Sequence, residues 1–338
     1  MIRFIGSRVL SSLATVFGAS IVAFVVLRLL PGDPVRLIVG RLASQQAATT
    51  MRQVLGLDQP VPVQYAHYLS SFFRGDWGFS YTVGEPVTTL IVSRLPASAE
   101  LGVAAFLLAF GGAVVLAPLS IRLGWVDAVV RGLSFLGLGV PAFWLALLLL
   151  IVFSQQYHVF PGPEGRLSPE TSAPPALTGF YTVDALVSGS FATLADTIRH
   201  LILPAVCLAF APFAFLVRLL RSNLREVSRE PFMTVVRSKG VSRWATLVRH
   251  ALPNAFLPTL TAAGLILAEL LVGSVLIETV FDWPGVGALV VQSIERKDYV
   301  VVQAVILLSA VAYVVINLVV DVSYGIIDPR VRLGSSLK

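Results

Sequence analysis

The chain has 338 residues, of which 56% are hydrophobic and 13% charged, and its mean hydropathy is +0.82. A soluble domain carries roughly 25% charged residues, so composition excludes an ordinary globular protein and indicates an integral membrane protein. The formal charge of +6 does not signal nucleic acid, because the cations sit at the ends of apolar runs, where they orient a membrane protein.

Val9 to Leu30, preceded by Arg3 and Arg8, is the first expected span. Its apolar stretch exceeds the ~7–15 residues of a signal-peptide core and no small-x-small site follows, so a retained helix is expected. It reaches the ~20 residues needed to cross hydrocarbon. Leu30-Pro31-Gly32-Asp33-Pro34 stops it. Residues 31–97 hold no spanning segment and read as an extracytoplasmic cap. In it Pro60 and Pro62 break the chain, and Gly75-Asp76-Trp77-Gly78 makes a turn. Tyr65, Tyr68, Leu69 and Phe72 form a helical stripe expected to hold the cap at the bilayer interface.

Ala97 to Ile121, with Pro118 near its inner end, is the second span; Arg122, Trp125, Asp127 and Arg131 make a short loop. Gly132 to Phe153 is the third. Pro141 interrupts it and predicts a kink, since neighbours can satisfy the carbonyl that a proline frees. Pro141, Phe143 and Trp144 are candidates to line a substrate path, with ordinary packing as the alternative. Residues 155–196 are rich in Pro, Gly, Ser and Thr and read as a second outer loop. Leu201 to Leu220 is the fourth span and Ala255 to Phe281 the fifth. After the turn Asp282-Trp283-Pro284-Gly285, Val286 to Ile294 is expected to re-enter the interface. Tyr299 to Asp321 is the sixth span, and Asp328-Pro329-Arg330 ends the membrane part. The fold class is therefore all-α, a polytopic membrane protein of six transmembrane helices. Its parts are a tail and first helix (1–30), the cap (31–97), a membrane core (98–325) with an outer loop at 155–197 and a basic loop at 225–255, and a tail (326–338).

Between the fourth and fifth spans lies a polar, basic stretch, Ser228 to Pro253. Arg225, Arg229, Arg237, Lys239, Arg243 and Arg249 face a single acid within it, Glu230. Ser228 is placed to cap a helix with Pro231 in its first turn. Phe232, Val235 and Val236 recur at helical spacing, and Gly240 is a helix stop. Ser242 is placed to cap a second helix with Trp244, Leu247, Val248 and Ala251 on one face, which Pro253 would break. Thr234 lies on the first helix. The expectation is two short amphipathic helices bent at Gly240, a shape suited to docking a soluble partner. A loop that merely sets topology, or a patch for anionic lipid, is the alternative.

Charge then orients the chain. With both termini inside, the inner segments 1–8, 122–131, 218–255 and 325–338 hold fifteen of the twenty-five cations: Arg3, Arg8, Arg122, Arg131, Arg218, Arg221, Arg225, Arg229, Arg237, Lys239, Arg243, Arg249, Arg330, Arg332 and Lys338. The opposite orientation would translocate the basic stretch.

No catalytic constellation is present in the sequence. His67, His158, His200 and His250 are scattered, Cys207 is alone, and no GxxxxGK[ST] loop occurs, so the chain has no such means of binding ATP itself and is not expected to be an enzyme. Transport would need either an ion gradient or a nucleotide-hydrolysing partner. Glu269 is the one deep intramembrane acid and is expected to face the bundle interior as a packing or pathway residue; Glu100, Arg199, His200, Glu278 and Asp321 lie toward helix ends. Intramembrane carboxylates mark ion coupling, so an ion-coupled secondary transporter is the competing class, and a membrane anchor without transport is a third.

At the basic stretch the sequence resembles the permease subunits of ABC importers. Gly240, followed by Leu252-Pro253, is similar to their EAA loop, whose helix docks in a groove of a cytoplasmic ATPase. The resemblance is closest to the dipeptide, oligopeptide and nickel permeases. It rests on Arg237-Ser238-Lys239-Gly240, on Leu30-Pro31-Gly32-Asp33-Pro34, on Gly56-Leu57-Asp58-Gln59-Pro60 with Gln64-Tyr65, and on Gly75-Asp76-Trp77-Gly78. Further matches are His200-Leu201-Ile202-Leu203-Pro204, Glu278-Thr279-Val280-Phe281-Asp282-Trp283-Pro284-Gly285-Val286-Gly287, Asn317-Leu318-Val319-Val320-Asp321 and Asp328-Pro329-Arg330. The early proline-glycine motif and large first outer loop resemble the first of two paired permeases. Thr234, Val235 and Val236 depart from the residues that give the EAA loop its name, and Phe232 stands where a Tyr is frequent. The resemblance implies a prokaryotic inner-membrane importer with no cofactor of its own, a second homologous permease, two ATPases and an extracytoplasmic solute-binding protein. It implies ATPase docking through Phe232, Thr234, Val235, Val236, Arg237, Lys239, Gly240, Ser242 and Arg243.

Overall fold

The computed structural model describes residues 2–29, 35, 44–54 and 56–327. Leu30-Pro31-Gly32-Asp33-Pro34, Asp328-Pro329-Arg330, Arg332 and Lys338 lie outside them, and so do the side chains of Arg3, Arg8 and Asp321. The chain is helical almost throughout. α1 covers Ile2–Leu29, α2 Gln45–Val54 and α3 Val61–Phe73. A two-residue hairpin follows, β1 (Phe79–Ser80) against β2 (Glu85–Pro86), antiparallel with Phe79 opposite Pro86. Then come α4 (Val87–Arg122), α5 (Gly124–Gly139), α6 (Ala142–Leu149, continued by a π turn, Leu150–Gln156), α7 (Tyr181–Val187) and α8 (Phe191–Val227). The rest is α9 (Pro231–Ser238), α10 (Arg243–Ala245), a π turn at Thr246–Ala251, α11 (Leu252–Val272), α12 (Val275–Val280), α13 (Val286–Glu295) and α14 (Tyr299–Ile327).

Among the described residues four helices are long and apolar enough to cross a bilayer: α4, α8, the run Arg243–Val272, and α14 over Tyr299–Val320. α5 and α6 make a fifth when taken together, although their axes bend by 112°. Pro141 therefore marks a break rather than the expected kink. Val140 and Pro141 are both extended, and a proline keeps the residue before it out of the helical region. The packing of the pair runs one way. Gly137 lies against Phe210 and Ala214 of α8, below which Val126 and Val130 share a cluster with Leu216 to Leu224; Ala146 and Leu150 share one with Leu201 to Cys207. The two helices thus pack in succession along α8, α5 beside its C-terminal half and α6 beside its N-terminal half.

Three further expectations change. The loop expected at residues 122–131 is helix from Gly124 onward, with only Leu123 extended, because Asp127 in the first turn of α5 is paired with Arg221 of α8 and with Arg131. The second span begins at Val87, not Ala97, and the fifth ends at Val272, where Gly273 and the capping Ser274 separate it from α12. In the cap, Pro62 sits in the first turn of α3 and does not break it.

The core is a seam of small residues. Ala105, Ala109, Ala113 and Ala117 recur every four residues on one face of α4 and are fully buried, which lets the backbone of α8 come close. The aromatic stripe of the cap contacts the first helix. Tyr65 shares a 2.6 Å hydrogen bond with Ser20 of α1, and Phe24 meets the rings of Tyr65 and Tyr68 at 5.1 and 5.9 Å. The stripe clasps the first helix because an apolar neighbour was available in the same chain. Trp77 stacks on Phe72 and donates to its carbonyl at 3.1 Å.

Candidate functional site

The basic stretch folds into one short helix and, after the bend, the start of a long one, not the two short helices expected. Ser228 ends α8: its hydroxyl donates to the Leu224 carbonyl at 2.6 Å, satisfying an acceptor of the last turn. Glu230 holds the cap position of α9 and Pro231 its first turn. Gly240, at φ +76°, makes the left-handed bend and donates its N–H to Arg237 O at 3.0 Å. Ser242 caps α10, accepting from Ala245 N at 3.3 Å. Pro253 does not break the second helix. The π turn at Thr246–Ala251 widens the backbone just ahead of it, and helix continues from Arg243 to Val272. Such turns offset the hydrogen-bond ladder, so the missing proline N–H is accommodated.

Burial divides α9 into two faces. Met233 is 1% exposed and belongs to the cluster that holds Leu220 and Leu224 of α8 with Leu247 and Ala251 of the π turn. Phe232 and Val235 are 41% and 57% exposed. Thr234, Arg237, Lys239, Ser242 and Arg243 are exposed too, while Val236 is half-buried. Arg237 reaches back to donate to Ser228 O at 2.9 Å, and the Arg122 guanidinium lies over the Trp244 ring at 5.2 Å. The hairpin is therefore pinned to α8 and to the root of α11, and its free face carries two large apolar side chains amid cations. Helical spacing alone groups Phe232 with Val235 and Val236; it misses Met233, whose inward side is defined only by where α8 and α11 lie.

The residues proposed for a path stand on two separate helices. Phe143 and Trp144 are exposed on α6, just beyond the break at Pro141, and Glu269 is exposed on α11. Glu269 does not face the interior of this chain's own bundle as expected, and its carboxylate has no hydrogen-bond or ion-pair partner among the described residues.

The buried acids are others. Glu278 is fully buried. It accepts from Ser98 Oγ at 2.8 Å and from Ala288 N at 3.0 Å, at the start of α13, where a carboxylate complements free amides and the helix dipole. Trp283 Nε1 donates to Ala97 O at 2.8 Å. The run from Glu278 to Gly287 is thus a folded plug between α4 and α13. Glu100 of α4 is paired with Arg166 of the 155–196 loop, both buried, and Glu100 accepts from Thr182 N at 2.7 Å; Arg166 also stacks on the Tyr181 ring at 3.5 Å. Within the same loop Asp184 accepts from Thr178 Oγ1, Thr178 N and Gly179 N at 2.7–2.9 Å. Burial pushes its carboxyl up, but these bonds outweigh burial and hold it below the ordinary aspartate value.

Residues 109–333 match the family of binding-protein-dependent transport system inner membrane components, and residues 1–102 match the N-terminal component of such membrane proteins. The chain is 41% identical over 321 residues to a probable D,D-dipeptide transport system permease protein of Escherichia coli, covering 94% of each chain. It is 40% identical over 337 residues to a di/tripeptide transport system permease protein of Pseudomonas aeruginosa, and 36% identical over 339 residues to the dipeptide transport system permease protein of Escherichia coli, each covering 98% of this chain and 99% of the relative.

Proposed function

The chain belongs to the family of binding-protein-dependent transport system inner membrane components, a multi-pass permease of the ABC class, and from that premise we propose that it forms half of an ATP-driven import path for di- and tripeptides or a close chemical relative. The names of its relatives supply that substrate class. In this reading a second homologous permease completes the path. An extracytoplasmic binding protein delivers the solute, and two cytoplasmic ATPases hydrolyse ATP. This chain makes and breaks no bond and carries no cofactor; its other partner is the lipid bilayer, not nucleic acid. Six crossings follow if α1 and the broken α5–α6 pair each count as one, with both termini and the Ser228–Pro253 hairpin cytoplasmic, in accord with the positive-inside rule.

The observation that carries this reading is the division of α9: Met233 buried beneath, Phe232 and Val235 free above. A surface helix free of partners would turn its large apolar residues inward. Here two of them point outward on an element pinned to α8 and α11, which suits an ATPase groove. A push on α9 then moves two spanning helices as one body, the kind of rigid-element shift by which membrane transporters exchange inward and outward openings. Pro141, Phe143, Trp144 and Glu269, exposed on this subunit alone, are the proposed path-lining set, facing the second permease.

Uptake of a labelled dipeptide in cells tests the proposal. It should stop when ATP is depleted and persist when an uncoupler collapses the proton gradient with ATP maintained. Uptake that follows the gradient instead would assign an ion-coupled carrier.

A further inference from the structure

A cleft of ≈ 460 Å³ opens between α5 and α8 on the side of the bundle that carries the basic hairpin. Its apolar wall is Phe135 and Leu138, its floor Ser134, and its rim Arg131, Arg218 and Arg221. Phe135 is 81% exposed, Ser134 is buried, and the Ser134 hydroxyl and the Arg221 Nε have no hydrogen-bond partner among the described residues. Asp127 is the acid beside them. It is bonded to Arg221 and to Arg131, the latter at 2.9 Å, and lies 3.9 Å from Arg225. Arg218 has no acidic partner among the described residues. Three guanidinium groups line the cleft against one carboxylate, a local surplus of two positive charges.

We infer that this cleft binds the phosphodiester headgroup of an anionic phospholipid. A phosphate neutralises part of this surplus and gives the rim arginines charge-assisted hydrogen bonds. The wall of Phe135 and Leu138 runs from the arginine rim toward mid-bundle, where Gly137 meets Phe210, so acyl chains have an apolar surface beneath the headgroup. Basic pockets between spanning helices at the cytoplasmic face take anionic headgroups for these reasons. A free phosphate would use the arginines but make no use of the apolar wall. The level of the cleft follows from contacts within the chain; only its assignment to the inner leaflet rests on the orientation proposed above.

The test uses the assembled transporter in phosphatidylcholine vesicles containing a trace of spin-labelled phosphatidylglycerol or spin-labelled phosphatidylcholine. The protein-restricted fraction of each label is measured by electron spin resonance. The wild type should restrict the phosphatidylglycerol label preferentially. Arg131→Gln and Arg218→Gln should each lower that preference about fivefold, the worth of one arginine near an anionic surface. Unchanged gel-filtration behaviour and dipeptide-independent subunit association confirm that the variants assemble. Equal restriction of the two labels by the wild type, or full preference in the doubly substituted protein, would overturn the inference. So would loss of the preference in inorganic phosphate but not in chloride of equal ionic strength, which would identify a free-phosphate site. A preference seen with the isolated chain and absent from the assembled transporter would identify a subunit seam and overturn it as well.

Discussion

Ser98 and Glu278, far apart in sequence, share a 2.8 Å hydrogen bond inside the protein, and the same Ser98 hydroxyl accepts from the Val286 amide at 2.8 Å. One serine thereby joins α4 to α12 and to the start of α13. The plug this creates leaves no room for side chains on its glycines. A Cβ added at Gly285 would lie 2.3 Å from Glu278 Oε2 and 2.5 Å from Ser98 Oγ.

Gly285→Ala should therefore displace the Glu278 carboxyl group and unseat α13, at a cost of about 2–3 kcal/mol from lost hydrogen bonds and overpacking. Gly132→Ala, where an added Cβ meets nothing within 4 Å, should be neutral or slightly stabilising. Melting temperatures of the two variants in one detergent check the contrast; equal values would remove the plug from the account.

The two faces of α9 predict opposite kinds of defect. Met233→Ala removes a buried anchor and should destabilise the hairpin by about 2–4 kcal/mol. Phe232→Asp and Val235→Asp should leave the melting temperature near wild type and abolish retention of the ATPase on affinity purification. A stable Met233 variant, or aspartate variants that keep the ATPase, would reverse the assignment of the faces.

Gly240→Pro should separate assembly from work. Proline is confined to φ near −65°, whereas Gly240 sits at +76°, so the bend must change while the spans remain. The expected outcome is normal membrane insertion with dipeptide uptake lost. Charge reversal at Arg237, which loses the bond to Ser228 O, should act in the same direction more mildly. Normal transport by the proline variant would show that the bend carries no motion.

Glu100 and Arg166 form a buried pair that ties the outer loop to α4. Removing one partner of such a pair strands a charge and costs about 3–5 kcal/mol. Glu100→Ala or Arg166→Ala alone should thus expose the outer loop to protease, and the double variant should be less damaged than the sum of the two. Strict additivity would mean that the residues act independently.

Asp184 predicts an acid-sensitive loop. Its folded-state pKa lies below the unfolded value, so its stabilisation is complete above the unfolded value of about 4 and is lost as pH falls through the folded one. Asp184→Asn should be less stable than wild type at about pH 6, with the gap in melting temperature closing toward about pH 3. A gap that widens in acid would contradict the sign.

Composition and apolar run length were enough to identify a polytopic helical membrane protein, because a bilayer admits few solutions to backbone hydrogen bonding. At Pro231 and Gly240 the punctuation of the basic stretch was legible because proline and glycine act through local backbone sterics; the roles of Ser228 and Pro253 were not, since Ser228 ends α8 instead of starting α9 and helix continues past Pro253. Four features needed the tertiary structure: the 112° break at Pro141, the inward turn of Met233, the clasp of Tyr65 on Ser20, and the pairing of Ser98 with Glu278. Each depends on which distant segment lies alongside, and no local pattern encodes that. Glu269 illustrates the point: a lone acid in an apolar run is equally compatible with an interior or an exposed face, and only the packing of α11 against α4, α8 and α14 turned it outward.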